Sequence, residues 1–172
     1  MSKTLVAYFS RAGKNYVSGN IVDLPRGNGA VLADFAAAAT GGDLFEIRRV
    51  AAYPDDYREC VNVSRAELAA NARPELAEDR DPAAYDDVVL IYPNWCGTMP
   101  MPVYTWLEAH DFAGKTIHPL CTHEGSGLSG TEAQIAAACP GAHMARGLAV
   151  KGSEAAHSEA AHSESAVRGW LD

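Results

Sequence analysis

The chain has 172 residues, 48% of them hydrophobic, which fits one domain with a sizeable core and excludes disorder of the whole chain. Aspartate and glutamate number 22 against 14 lysine and arginine, a net charge of −8 that argues against general nucleic-acid binding and suits docking on basic partner surfaces. No apolar run is long enough to span a bilayer, and the start enters a strand without a signal peptide.

Leu5-Val6-Ala7-Tyr8-Phe9 is the first apolar run and reads as a strand. It ends in Ser10-Arg11-Ala12-Gly13-Lys14-Asn15, a small polar loop able to present backbone N–H groups to an anion. Tyr16 to Arg26 contains Gly19, Asn20 and Pro25, which delay the following helix. Its pattern begins after Gly27-Asn28-Gly29, with Asn28 as cap and Val31, Leu32 and Phe35 on one face. Thr40-Gly41-Gly42 ends it through a left-handed glycine. Asp43 to Arg48 alternates polar and apolar residues like a half-buried edge strand. Residues 51–57 lead into a second helix, with Val61 and Leu68 inward and Arg73-Pro74 as its stop. Glu75 to Ala84 is acidic and irregular.

Val88-Val89-Leu90-Ile91-Tyr92 is an unbroken apolar run, as expected of a central parallel strand. The loop Pro93-Asn94-Trp95-Cys96-Gly97-Thr98 follows it, and Pro100 and Pro102 open a helix carrying Val103, Trp106 and Leu107. A tryptophan and a glycine in such a loop suit a planar ligand. Thr116 to Cys121 reads as a fourth strand, although Pro119 is awkward in a central position. A second glycine-rich loop, Thr122 to Gly130, leads to a helix over Ala133 to Ala138. His143 to Val150 reads as a fifth strand, and Val167, Trp170 and Leu171 give the last helix an apolar face. Strands alternating with helices predict a doubly wound α/β domain over residues 1–172, with ligands at the carboxyl edge of the sheet.

Several motifs point elsewhere and are weaker. Gly125-Ser126-Gly127-Leu128-Ser129-Gly130 is a literal G-x-G-x-x-G, but it follows the fourth strand and no acid lies about 20 residues on to hold a ribose. His123 with Ser126 lacks the G-x-S-x-G elbow of a hydrolase. Ser153 to His162 is a five-residue near-duplication whose histidines, His157 and His162, have the wrong spacing for one metal on a helix. The cysteines Cys60, Cys96, Cys121 and Cys139 lie far apart, as reduced thiols of a cytoplasmic protein would, and Cys96 reads as a packing thiol.

Tyr8-Phe9-Ser10-Arg11, Gly27-Asn28, Gly42 to Ile47, Tyr53-Pro54-Asp55-Asp56-Tyr57, Arg73-Pro74-Glu75-Leu76, Tyr92 to Pro100, Gly114 to Ile117 and Thr122 to Gly127 occur in order along nearly the whole chain. Together they resemble the flavodoxin family, in its bacterial branch with an extended first loop. The resemblance implies a flavodoxin-like three-layer sandwich: a five-stranded parallel sheet in order 2-1-3-4-5 with helices on both faces. It also implies FMN at the switch point between strands 1 and 3.

On that resemblance, the Ser10 hydroxyl and the backbone N–H groups of Arg11, Ala12, Asn28 and Gly29 would hold the phosphate, aided by a helix N-terminus. Trp95 would stack on the ring, within a wall starting at Pro93. Asn94, Cys96 and Gly97 would supply backbone bonds to the ring edge, and Gly97 would let a peptide reorient. Thr122, His123, Glu124, Gly125 and Ser126 would contact the pyrimidine side. Glu124 either places a charge beside the ring or is simply solvated.

The chain departs from the family pattern at Gly29, where threonine is common, and at Asn94 and Cys96, where Pro-Ile-Trp-Trp-Gly is common. The implied function is cytoplasmic electron transfer between a reductase and an acceptor protein, with no catalytic side chain, metal or membrane insertion. An FMN-dependent NAD(P)H or quinone reductase is one alternative. A binding module that has lost flavin is the other.

Overall fold

The computed structural model describes residues 2–155 and 160–172. Its main sheet is parallel and runs β4-β1-β5-β6, with β7 and β8 both pairing the outer side of β6. The strands are β1 (Thr4–Tyr8), β4 (Asp43–Glu46), β5 (Asp87–Pro93), β6 (Thr116–His123), β7 (His143–Met144) and β8 (Leu148–Lys151). Counting β7 and β8 as one interrupted fifth strand, the order is 2-1-3-4-5, as the resemblance implies.

Period-2 alternation assigns each central strand residue to one of two cores. Leu5, Ala7, Val88, Leu90 and Tyr92 face α3 (Met101–Ala109) and α4 (Thr131–Ala138), where Val103, Trp106, Leu107 and Ile135 are buried. Val6, Val89 and Ile91 face the opposite layer, made by α1 (Asn28–Thr40), α5 (Gly152–Ala155) and α6 (Ala160–Leu171). The three layers follow directly, because a strand buried on both faces must read as a continuous apolar run.

Two helix faces differ from the expected ones. In α1 the buried residues are Gly29, Leu32, Ala33 and Ala36, an i, i+3, i+4, i+7 stripe, while Val31 and Phe35 are only half-buried. In α2 (Tyr57–Ala69) Cys60 is the buried residue and Leu68 is exposed. Asn28 is not the cap of α1; Gly27 holds that position, without a side-chain bond. Gly41 ends the helix at φ +69°, as expected.

The extended first loop is a β-hairpin, β2 (Gly13–Val17) and β3 (Asn20–Leu24), separate from the main sheet. Ser18 and Gly19 both have positive φ, +49° and +88°, the signature of a two-residue I′ turn.

Pro119 occupies β6 opposite Leu90. Ile117 accepts from the Ala145 N–H on the outer side of β6, so Pro119, two residues on, also turns its nitrogen outward. There the neighbouring strand is interrupted: β7 pairs Thr116 and Ile117, and β8 resumes at Leu120. A residue without an N–H therefore sits where the ladder requires none. His157 of the near-duplication lies outside the described residues; His162 is exposed on α6.

Candidate functional site

Three loops meet at the carboxyl edge of the sheet, following β1, β5 and β6. They border a cleft of about 250 Å³, lined from the expected residues by Asn28, Pro93, Asn94, Trp95, Thr122, His123, Glu124 and Ser126. Asn15, Tyr16, Tyr57 and Gly152 complete the lining.

The loop after β5 is rigidly specified. Trp95 and Thr98 exchange both backbone bonds, 2.8 and 3.2 Å, around Cys96 (φ +55°) and Gly97 (φ +83°). Gly97 meets the left-handed requirement without strain. Asn94 locks this turn to the loop after β6: its Nδ2 donates to the Gly127 carbonyl (2.9 Å) and Ser129 Oγ (2.8 Å), while its Oδ1 accepts from the Gly97 N–H (3.0 Å). The asparagine that departs from the family pattern thus ties two walls of the cleft together.

Trp95 is half-buried. Its ring stands edge-on to Phe9 and to Tyr53, each with centroids 5.1 Å away. Arg49 covers the Tyr53 ring at 3.6 Å and pairs with Glu67, which also accepts from the Tyr53 hydroxyl at 2.6 Å. The orientation of Trp95 is therefore set from behind by an aromatic pair and a nearly buried ion pair. Cys96, expected to pack, is instead exposed.

The first loop is tightly closed on α1. Ser10 Oγ accepts from the Ala30 N–H (3.1 Å), which leaves its own hydrogen available. Arg11 clips the loop to residues 54–55 by donating to the Pro54 and Asp55 carbonyls, both at 2.8 Å, and also donates to Lys14 O. Ser10, Arg11 and Ala12 line a separate pocket on the β4 side. An ideal Cβ on Gly29 would lie 2.3 Å from the Phe9 carbonyl oxygen, so this backbone has no room for the threonine of the family pattern. Gly29 is packed beneath the cleft and does not line it.

Asn28 does reach the cleft, and its Oδ1 is buried with no hydrogen-bond partner among the described residues. Buried polar atoms are nearly always paired, so this acceptor is an exception within the fold. Close to it, Glu124 Oε2 accepts from the Ser18 N–H of the hairpin (3.1 Å). A Cβ on Gly152 would lie 2.3 Å from Glu124 Oε1 and 2.7 Å from Asn28 Nδ2, so glycine there lets both side chains enter. His123 Nδ1 accepts from the Gly125 N–H (3.0 Å), and no His123–Ser126 hydrogen bond forms a hydrolytic dyad.

Sequence reasoning missed four lining residues. Asn15 and Tyr16 belong to the hairpin, whose alternation around Ser18-Gly19 was a readable signal. Tyr57 sits at the start of α2 and stacks on Tyr16, with centroids 6.2 Å apart and planes 27° apart. Gly152 enters only because β8 lies beside β6, a tertiary fact.

A family model described as Flavodoxin matches residues 3–166. A search of curated proteins gave no match. Among solved structures, a protein assigned as a flavoprotein from Bacteroides eggerthii is 28% identical, with a TM-score of 0.75 over 100% of this chain and 97% of that one. A second such protein, from Bacteroides uniformis, is 27% identical, with a TM-score of 0.74 over 99% and 97%. A flavoprotein of Lactobacillus acidophilus, solved in complex with FMN, shares the fold at 17% identity, with a TM-score of 0.66 over 100% of both chains. The sheet order, the three converging loops and the family match over residues 3–166 lead to one conclusion: the chain belongs to the flavodoxin family.

Proposed function

We propose that the cleft binds FMN and that the protein carries electrons between a reductase and an acceptor protein in the cytoplasm. The observation that carries this reading is the buried Asn28 Oδ1, unpartnered among the described residues, in the lining of a cleft that Trp95 also lines. An orphaned acceptor fits a ligand with hydroxyl or ring N–H donors, and an indole fits a flat ring. FMN has all three features, and the residues present fit it. The FMN complex of the Lactobacillus acidophilus flavoprotein supports the same ligand.

Bound there, FMN would supply one- or two-electron chemistry. This chain's residues bind and orient. Asn28 accepts from a ligand donor and Trp95 offers its indole. Thr122, His123 and Ser126 border the cleft from the end of β6 and the loop after it. Asn94 holds the Cys96–Gly97 turn in place. The hairpin is tethered to the loop after β6 through Ser18 and Glu124. No helix among the described residues is long and apolar enough to cross a membrane. The net charge of −8 favours partners with basic docking faces.

Titrating the purified protein with FMN at micromolar concentrations tests the reading. Quenching of flavin fluorescence with one-to-one stoichiometry is expected; its absence overturns the cofactor assignment and leaves a flavin-free binding module. A pocket adjoining the cleft favours a second reading, a small-molecule reductase. Turnover of NAD(P)H with quinones in the absence of a partner reductase would replace the carrier with that reading.

A further inference from the structure

Beside the cleft lies a second cavity of about 280 Å³, between α2 and the loop after β5. The two share Asn15, Tyr57, Asn94 and Trp95, so they are adjoining compartments. Their charges differ. The cleft carries the Glu124 carboxylate and no lysine or arginine. The cavity is lined by Arg11 and Arg65 and, among the described residues, by no acidic one, in a chain whose net charge is −8.

Neither arginine is neutralised. Arg11 donates to three carbonyl oxygens, which hold its guanidinium without cancelling its charge. Arg65, exposed on α2, has no hydrogen-bond or ion-pair partner among the described residues. Other arginines of the chain do find carboxylates: Arg26 pairs Asp34, Arg49 pairs Glu67 and Arg73 pairs Glu108. A free guanidinium fork matches a carboxylate in two parallel hydrogen bonds. Tyr57 and Trp95 give the cavity two aromatic rings, beside the apolar Val61 and Cys60.

We propose that this cavity is a binding site for a small aromatic carboxylate, its acid group on Arg65 and its ring against Tyr57 and Trp95. If the cleft holds FMN, as read above, the carboxylate lies next to the flavin compartment, and aromatic acids are the class of small molecule that gains access to it.

Calorimetric titration of the FMN-loaded protein with 2-naphthoate and with 2-naphthamide, its uncharged counterpart of similar shape, tests the site. 2-Naphthoate is expected to bind about tenfold tighter, as a charge-assisted hydrogen bond provides. Arg65→Gln should remove that preference while leaving FMN affinity unchanged, and Arg65→Lys should restore part of it. Equal affinities for the two probes, a preference that survives Arg65→Gln, or displacement of FMN by 2-naphthoate would each overturn the proposal. The same titration on protein without FMN separates the two readings. A chain that refuses FMN yet binds 2-naphthoate through Arg65 keeps this site and loses the flavin assignment.

Discussion

The Tyr53 hydroxyl donates to Glu67 across 2.6 Å, and Arg49, paired with the same carboxylate, covers the Tyr53 ring. The arrangement holds Tyr53 edge-on against Trp95. The Arg49 and Glu67 side chains are only 15% and 12% exposed, so neither charge can turn to water without leaving the other behind. Glu67→Ala is expected to cost about 3 kcal/mol, the scale for breaking a mostly buried ion pair. Glu67→Gln, which keeps the acceptor for Tyr53, should cost less. Urea unfolding midpoints check both. Equal stability of Glu67→Ala and wild type would show that the pair does not support the Trp95 wall.

Gly29 gives an expectation opposite to a simple reading of the family pattern. Restoring threonine there would add a hydroxyl near the phosphate end, yet a Cβ would meet the Phe9 carbonyl oxygen at 2.3 Å. Backbone cannot yield as a flexible side chain can. Gly29→Thr is therefore expected to lose about 1–3 kcal/mol of stability through overpacking, and to weaken FMN binding. Thermal unfolding and the FMN titration together measure it. A variant that is as stable as wild type and binds FMN more tightly would refute the packing argument.

Much of this architecture was legible because burial on both faces leaves an unbroken mark. Val88 to Tyr92 reads as a central strand from composition alone, and Val103, Trp106 and Leu107 read as the inner side of α3. What escaped depends on partners distant in sequence. The fifth strand reads as one run from His143 to Val150, but it breaks beside Pro119. The hairpin was visible as alternation around Ser18-Gly19, yet Gly19, Asn20 and Pro25 also read as mere helix breakers. In the site, Pro93 to Trp95 and Thr122 to Glu124 reach the cleft because a strand's end fixes where its next residues go. Ser10, Arg11 and Ala12 line a different pocket, because Arg11 ties their loop to residues 54–55, a contact no local pattern reveals.

Alkaline pH should destabilise the fold through its buried thiols. Burial pushes Cys121 up to about 12 and Cys139 up to about 12, from 9.0. The folded state thus keeps these protons at pH values where the unfolded chain has lost them. Their contribution is fully present below about pH 9 and declines as pH rises toward about 12. Tyr53 and Tyr92, also raised by burial, add to the decline above their ordinary value of 10.0. Urea midpoints between about pH 7 and pH 10 should fall above about pH 9. The double variant Cys121→Ala, Cys139→Ala should be less stable at neutral pH, from the cavities it creates, but flatter with pH. A slope equal to wild type would exclude the thiols as its source.

Trp95 is the wall residue with the plainest expected effect. An aromatic stack is worth about 1–3 kcal/mol for nucleobases, so Trp95→Ala should weaken FMN roughly five- to 150-fold. Trp95→Phe should recover much of the loss, since a phenyl ring also offers an aromatic face. Fluorescence titration of each variant reads this directly. An unchanged dissociation constant for Trp95→Ala would rule out ring contact at this position.

Glu124 tests whether the cleft tunes a bound flavin electrostatically. Its carboxylate lines the cleft and already accepts from the Ser18 N–H. Glu124→Gln keeps an acceptor for that bond and removes only the charge, so the hairpin tether and the electrostatic effect are separated. A negative charge disfavours placing another on the ring, and its removal should raise the midpoint potential of bound FMN. The side chain is exposed, so solvent screens it, and the expected rise is roughly 20 mV, equivalent to about 0.5 kcal/mol of screened Coulomb energy. Because exposed charges are screened further by salt, the difference between variant and wild type should shrink in 1 M NaCl, where the Debye length is about 3 Å. Spectroelectrochemical titration at low and high salt measures both quantities. Identical potentials at low salt would show that Glu124 acts only as the anchor for Ser18.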